Sequence, residues 1–151
     1  MKLKEFILNN WDKTIREAKE DTESIIALPK PFTVPSIEGY FQEMYYWETY
    51  FTNVGLFASG LVQQAINNCE NMSYVINKYG FFPNATKKHF LKRSQQPYFA
   101  FVVEDIYEAT KDDKWLKERY DEIKKEYTWW MKNRITKIGL NRYGDSGETI
   151  E

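Results

Sequence analysis

Apolar residues recur three and four positions apart over most of this chain, the period of a helix with one buried face. Trp47, Tyr50, Phe51, Val54, Phe57 and Leu61 share one such face, and Val62, Ala65, Ile66, Cys69, Met72 and Ile76 repeat the pattern. Gly60 between the two sets predicts a turn. Phe99, Val102, Val103 and Ile106 predict a further helix, with Pro97 near its first turn, where a missing N–H costs nothing. Leu116, Tyr120, Ile123, Tyr127 and Trp130 predict another, capped by Asp112. A helix is also expected from Lys4 to Lys19, carrying Ile7, Trp11, Ile15 and Ala18. Two loops separate these stretches. Pro29, Pro31 and Pro35 exclude helix from the first, and Gly80 to Ser94 makes the second. The tail from Gly139 onward is glycine-rich and lacks periodicity. No segment reads as strand-rich, so the expected class is all-α.

The polar positions that interrupt this pattern carry the candidate chemistry. Glu43 and Glu48 flank the run Tyr45-Tyr46-Trp47 at the start of a predicted helix. Ring faces cover the apolar C–H side of a pyranose, and carboxylates accept hydrogen bonds from its hydroxyls. The plain alternative is a solvated helix start, where the macrodipole favours acidic groups. The three aromatics cannot all enter a core, because successive helical residues diverge by about 100°. Arg93 reads either as a rigid fork of donors for a hydroxyl-rich ligand or as a surface ion pair. Asn84 after Pro83 suits a turn or a ligand contact, and Gln95 suits a ligand contact or a cap for the helix that follows it. Lys87, Lys88 and His89 read as solvated loop residues. Of Trp129 and Trp130, one ring is expected to pack and the other to be exposed.

Taken in order, these residues resemble the trehalase family of glycoside hydrolases. Phe41, Glu43, Tyr45, Tyr46, Trp47 and Tyr50 match its first motif, and Phe82-Pro83-Asn84 its second. Arg93-Ser94-Gln95 and Leu140-Asn141-Arg142-Tyr143 match its third and fourth. The chain departs from that pattern at Tyr40 (arginine in the family), Glu48 (aspartate), Ala85 (glycine) and Gln96 (proline). The resemblance implies an (α/α)6 toroid, incomplete here, since the helices visible are fewer than half of those such a ring needs. It implies one partial domain: an N-terminal helix over 1–27, a proline-rich loop and motif over 28–46, helical hairpins over 47–138 and a tail over 139–151. It implies hydrolysis of an α-linked glucose disaccharide such as trehalose with inversion, without cofactor. The sugar-binding residues would be Phe41, Trp47, Glu48, Asn84, Arg93 and Gln95. The acid/base pair would lie beyond Glu151, leaving no catalytic residue here. Asp145 and Glu148 fall where the family carries an acidic stretch, and read here as a solvated, frayed end. Two alternatives remain: a sugar-binding or assembly module completed by a second polypeptide, and a helical scaffold with relic motifs.

Composition narrows the field further. A net charge of -1 over 151 residues offers no basic surface for nucleic acid or acidic lipid. No apolar run reaches the length of a membrane span. A lone cysteine, Cys69, on an apolar stripe is expected to be a buried thiol, and with a single histidine, His89, it excludes a structural zinc site. Asn9, Asn10 and Asp12 break the early apolar run, so no signal peptide is expected and a cytoplasmic location follows. An uncapped face with Tyr127, Trp130 and Met131 is expected to favour self-association.

Overall fold

The computed structural model describes residues 2–142 and 144–145. Five α-helices occur among them: α1 (Leu3–Leu8), α2 (Tyr46–Ala58), α3 (Val62–Tyr79), α4 (Phe99–Thr110) and α5 (Asp113–Asn133). The all-α expectation holds, with only short strand pairs added. β1 (Ile15–Arg16) pairs antiparallel with β2 (Phe32–Thr33), and β3 (Arg93–Ser94) with β4 (Gly144–Asp145).

Two helical hairpins follow from turn chemistry. Gly60, at φ +74°, lies between α2 and α3, and the Leu61 N–H donates back to the Leu56 carbonyl. Only glycine adopts that backbone without cost. Asp112 caps α5 as expected, accepting from the Trp115 N–H at 2.9 Å. α3 is central and packs against α2, α4, α5 and β2. Its stripe Ala65, Cys69, Met72 and Ile76 is fully buried, as are Phe99, Val102, Val103 and Ile106 of α4. Burial pushes the Cys69 thiol well up, so it is inert at neutral pH.

Three expectations about the helices are corrected. The N-terminal helix ends at Leu8 and not near Lys19. The Asn10 amide donates to the Phe6 carbonyl, which competes with helix continuation, and a 3-10 turn at Asp12–Thr14 leads into β1. From there the backbone bonds go to the proline loop: Val34 N–H to Thr14 O and Leu28 N–H to Ala18 O. Trp11 turns inward, its indole N–H donating to Ser59 Oγ and its ring filling the space left by Gly55.

The second correction concerns α2. Its buried side is Tyr46, Thr49, Asn53 and Leu56, while Trp47, Phe51 and Val54 of the apolar stripe point outward. The inward polar oxygens find partners: Asn68 Nδ2 donates to both Asn53 Oδ1 and Thr33 Oγ1, and Thr49 Oγ1 donates to the Tyr45 carbonyl, while Asn53 Nδ2 is enclosed without a partner among the described residues. Leu61 stands outside α2 at the start of α3. The third correction is on α5, where Glu122, Glu126 and Trp130 are buried while Tyr120 and Tyr127 are exposed. Trp130 packs inward as expected of one member of its pair, which removes it from the uncapped apolar face expected with Tyr127 and Met131, and Trp129 stacks on Phe81 at 4.0 Å.

The loop before the aromatic motif is tied to α3 by two buried asparagines. Asn71 bonds both the N–H and the carbonyl of Lys30 at 3.0 Å, as a paired strand would. Asn68 Oδ1 accepts from the Thr33 N–H at 3.1 Å.

Candidate functional site

The N-terminal end of α2 is assembled from three separate segments. A helix start leaves backbone N–H groups without intrahelical partners, and the flanking residue Tyr45 supplies no side-chain cap. The loop 80–98 supplies the acceptors instead. Tyr46 N–H donates to the Asn84 carbonyl at 3.2 Å, and Trp47 N–H donates to Gln95 Oε1 at 3.0 Å. Gln95 therefore caps α2 and not the helix that follows it. The loop closes on itself, with Asn84 N–H donating to the Arg93 carbonyl at 3.1 Å and Pro83 bridged to Ser94. Trp47, Glu48, Asn84, Arg93 and Gln95 are thus drawn to one end of the bundle, although 48 residues separate Trp47 from Gln95.

Ring orientation follows the divergence expected of adjacent helical residues. Tyr46 is fully buried and Tyr45 nearly so, while Trp47 is 37% exposed. Phe41, at φ +64°, stands 55% exposed with its ring edge-on to Tyr45 at 5.4 Å. An aromatic residue in left-handed backbone is a local strain that surrounding bonds must hold.

The two carboxylates differ. Glu43 Oε1 pairs with Lys87 Nζ at 2.8 Å, so Lys87 is not the free solvated residue expected. Glu48 lies in the first turn of α2, half-buried, where the helix macrodipole favours its charge. Glu48 Oε2 and Glu43 Oε2 are enclosed without a hydrogen-bond partner among the described residues. Buried acceptors left without a donor are costly. Arg93 is an exposed residue, and its guanidinium lies over the Phe90 ring at 5.4 Å. Its backbone pairs with Asp145, so the tail returns to this end of the molecule and is not frayed there. Asn141 holds the Trp130 carbonyl through Nδ2 at 3.2 Å, and Leu140 and Arg142 are exposed. Tyr143 and Glu148 lie outside the described residues, as does the side chain of Asp145.

Beneath the site is a pin that sequence reasoning missed. Tyr46 OH donates to the Glu126 carboxylate, at 2.8 and 2.7 Å from its two oxygens, and accepts from the N–H groups of Tyr98 and Phe99. Burial pushes the Glu126 carboxyl up to about 7, against the opposing bonds from Tyr46 and Phe82. A signal existed: Glu126 lies three residues after Ile123 and four before Trp130, on the inward stripe of α5. A cavity of about 330 Å³ opens alongside, between α4 and α5, lined by Gln96, Pro97, Glu126, Tyr127, Trp130 and Asn141 among others. None of the six sugar-binding candidates is among its walls.

Similarity to known proteins covers nearly the whole chain. The family model described as trehalase matches residues 2–149. The chain is 36% identical to the periplasmic trehalases of Salmonella paratyphi B and Salmonella dublin, over 97% of its own length and 28% of theirs. It therefore spans little more than a quarter of these relatives. The periplasmic location in their names overturns the expectation of a cytoplasmic protein, which rested on a few polar residues near one end. A neutral trehalase from Saccharomyces cerevisiae shares the fold at a TM-score of 0.70 and 24% identity, over 95% of this chain and 29% of that one. The helical hairpins accordingly form part of an (α/α)6 toroid, incomplete in this chain.

Proposed function

Because the chain belongs to the trehalase family of glycoside hydrolases, we propose that it supplies one wall of the sugar subsite in an enzyme that hydrolyses an α-linked glucose disaccharide. The observation that carries this reading is the gathering of Trp47, Glu48, Asn84, Arg93 and Gln95 at the α2 N-terminus by backbone and amide bonds. Trp47 offers a ring face, Arg93 a fork of donors, and Glu48 an enclosed acceptor without a partner among the described residues. Phe41, edge-on to Tyr45 just before α2, would form the edge of the wall.

Inverting hydrolysis needs one protonated carboxyl to serve the leaving oxygen and one ionised carboxyl to activate water on the opposite face. Glu126, with a carboxyl near neutrality, has the right acidity for the first role. Both its oxygens are within bonding distance of Tyr46 OH, which makes it a structural group. We therefore place the acid/base pair outside these residues. The relatives named periplasmic support a periplasmic setting, in which the wholly buried Cys69 is shielded from thiol–disulfide exchange.

Calorimetric titration of the chain with trehalose tests this reading. Weak binding is expected, on the order of millimolar, and should be lost in Trp47→Ala and Arg93→Ala. The same samples should release no glucose. Undetectable binding at high millimolar trehalose, or unchanged binding in both variants, would remove the sugar wall.

A second reading, assembly, is favoured by the outward rings. Phe51 and Phe101 are more than half exposed and sit beside the stacked pair Tyr50 and Tyr98, and Tyr127 is exposed on α5. Exposed apolar surface of this kind marks an interaction face.

A further inference from the structure

The loop that carries Phe41 is braced by a residue outside every motif. Arg16 in β1 uses its whole guanidinium on neutral acceptors. Nε and Nη2 both donate to Gln42 Oε1, at 3.0 and 2.7 Å, and Nη2 also donates to the Ile37 carbonyl at 2.7 Å. Nη1 donates to the carbonyls of Lys13 and Ile15 at 2.8 and 2.9 Å. The Gln42 amide passes the restraint onward, with Nε2 donating to the carbonyls of Ser36 and Tyr40 at 3.1 and 3.3 Å. Ser36 Oγ lies within 2.9 Å of the same Tyr40 carbonyl.

These bonds enclose the turn 36–42, in which Gly39 and Phe41 both hold positive φ. Glycine adopts that backbone freely, and phenylalanine does not. Phe41 meets Tyr45 edge-on and is more than half exposed, so packing alone gives it weak hold there. The guanidinium fork meeting a single amide oxygen from two nitrogens fixes direction as well as distance, which a lysine could not do. Pairing of Arg16 with Phe32 across β1 and β2 sets the brace on a fixed base.

We propose that Arg16 and Gln42 are positioning residues that hold Phe41 in its left-handed conformation and so set the edge of the sugar wall. This rests on the sugar-wall reading for its purpose, though not for its geometry. It places a functional dependence 25 residues upstream of Phe41, on a side chain whose hydrogen bonds go to Gln42, Ile37, Lys13 and Ile15 and not to Phe41 or Tyr45.

The test uses the 151-residue chain and two variants, Arg16→Met and Gln42→Ala. Positive φ brings a residue's own amide and α protons unusually close, which gives a strong intraresidue cross-peak in NMR spectra. That peak for Phe41, and its ring contact with Tyr45, should be present in the parent chain. Both should be lost in the two variants while the amide signals of α3 and α4 stay in place. If Arg16→Met fails to fold, Gln42→Ala decides alone. Retention of the Phe41 signature in Gln42→Ala would overturn the brace. A trehalose titration separates the two layers: each variant should bind roughly tenfold more weakly than the parent. Equal binding despite a released Phe41 would overturn the positioning role, and a parent that binds no trehalose would overturn the sugar wall while leaving the brace to the NMR result.

Discussion

At the scale of single residues, the Tyr46–Glu126 pin makes a pH-dependent prediction. The Glu126 carboxyl, ordinarily near 4.5, is pushed up to about 7 by burial. The folded state therefore holds this proton more tightly than the unfolded chain does. Stability from this source is fully present below the unfolded value and is lost as pH rises towards and through 7. The change is on the order of 3 kcal/mol, because each tenfold difference in proton affinity between the two states is worth about 1.4 kcal/mol. Urea unfolding at about pH 5 and about pH 8 should show the loss in the parent chain, and Glu126→Gln should flatten the difference. The amide keeps an acceptor for Tyr46 OH, so this variant is expected to fold. An unchanged pH slope in Glu126→Gln would mean that the group is not the source. Asn68 makes a second residue-scale case. It bonds the Thr33 N–H and hydroxyl and the Asn53 amide oxygen, so Asn68→Ala should cost roughly 3 kcal/mol by orphaning buried polar groups. Chemical denaturation checks this, and a cost no larger than that of an exposed asparagine would contradict the staple.

At the scale of elements, α3 and α4 were legible because each buries a continuous apolar stripe, so periodicity and burial agree. α2 was legible as a helix but not in its orientation. Its inward side carries Thr49, which bonds the Tyr45 carbonyl one turn back, and Asn53, whose oxygen is met by Asn68, 15 residues away. The N-terminal helix failed for the same non-local reason. Ile15 and Ala18 fit a helical period, yet their backbone bonds go to Thr33 and Leu28 in the proline loop. The site divides likewise. Its residue types could be read from the motifs, but the Gln95 cap on Trp47 and the Arg16 brace depend on chain crossings that no local pattern encodes. The outward stripe of α2 also carries a consequence. With Phe51, Val54 and Phe101 exposed, the chain is expected to self-associate. Sedimentation at tens of micromolar should show dimers or larger species, reduced in Phe51→Ser/Phe101→Ser without loss of helix content. A monomer that binds no hydrophobic dye would contradict this face.

At the scale of the whole molecule, the hairpins pack about one central helix and bring several loops to one end. α3 at the centre packs against α2, α4 and α5, while the loop 80–98 meets the α2 N-terminus and the tail pairs with that loop. Loops positioned by a rigid scaffold are where binding residues concentrate. The cavity between α4 and α5 is the competing location for a small ligand, being concave and largely apolar. Mapping amide shifts of the labelled chain during a trehalose titration separates the two most directly. Shifts confined to Phe41, Trp47, Glu48, Asn84, Arg93 and Gln95 are the predicted result. Shifts centred on Ala100, Tyr127 and Met131, or none at saturating sugar, would contradict a sugar wall at the head of α2.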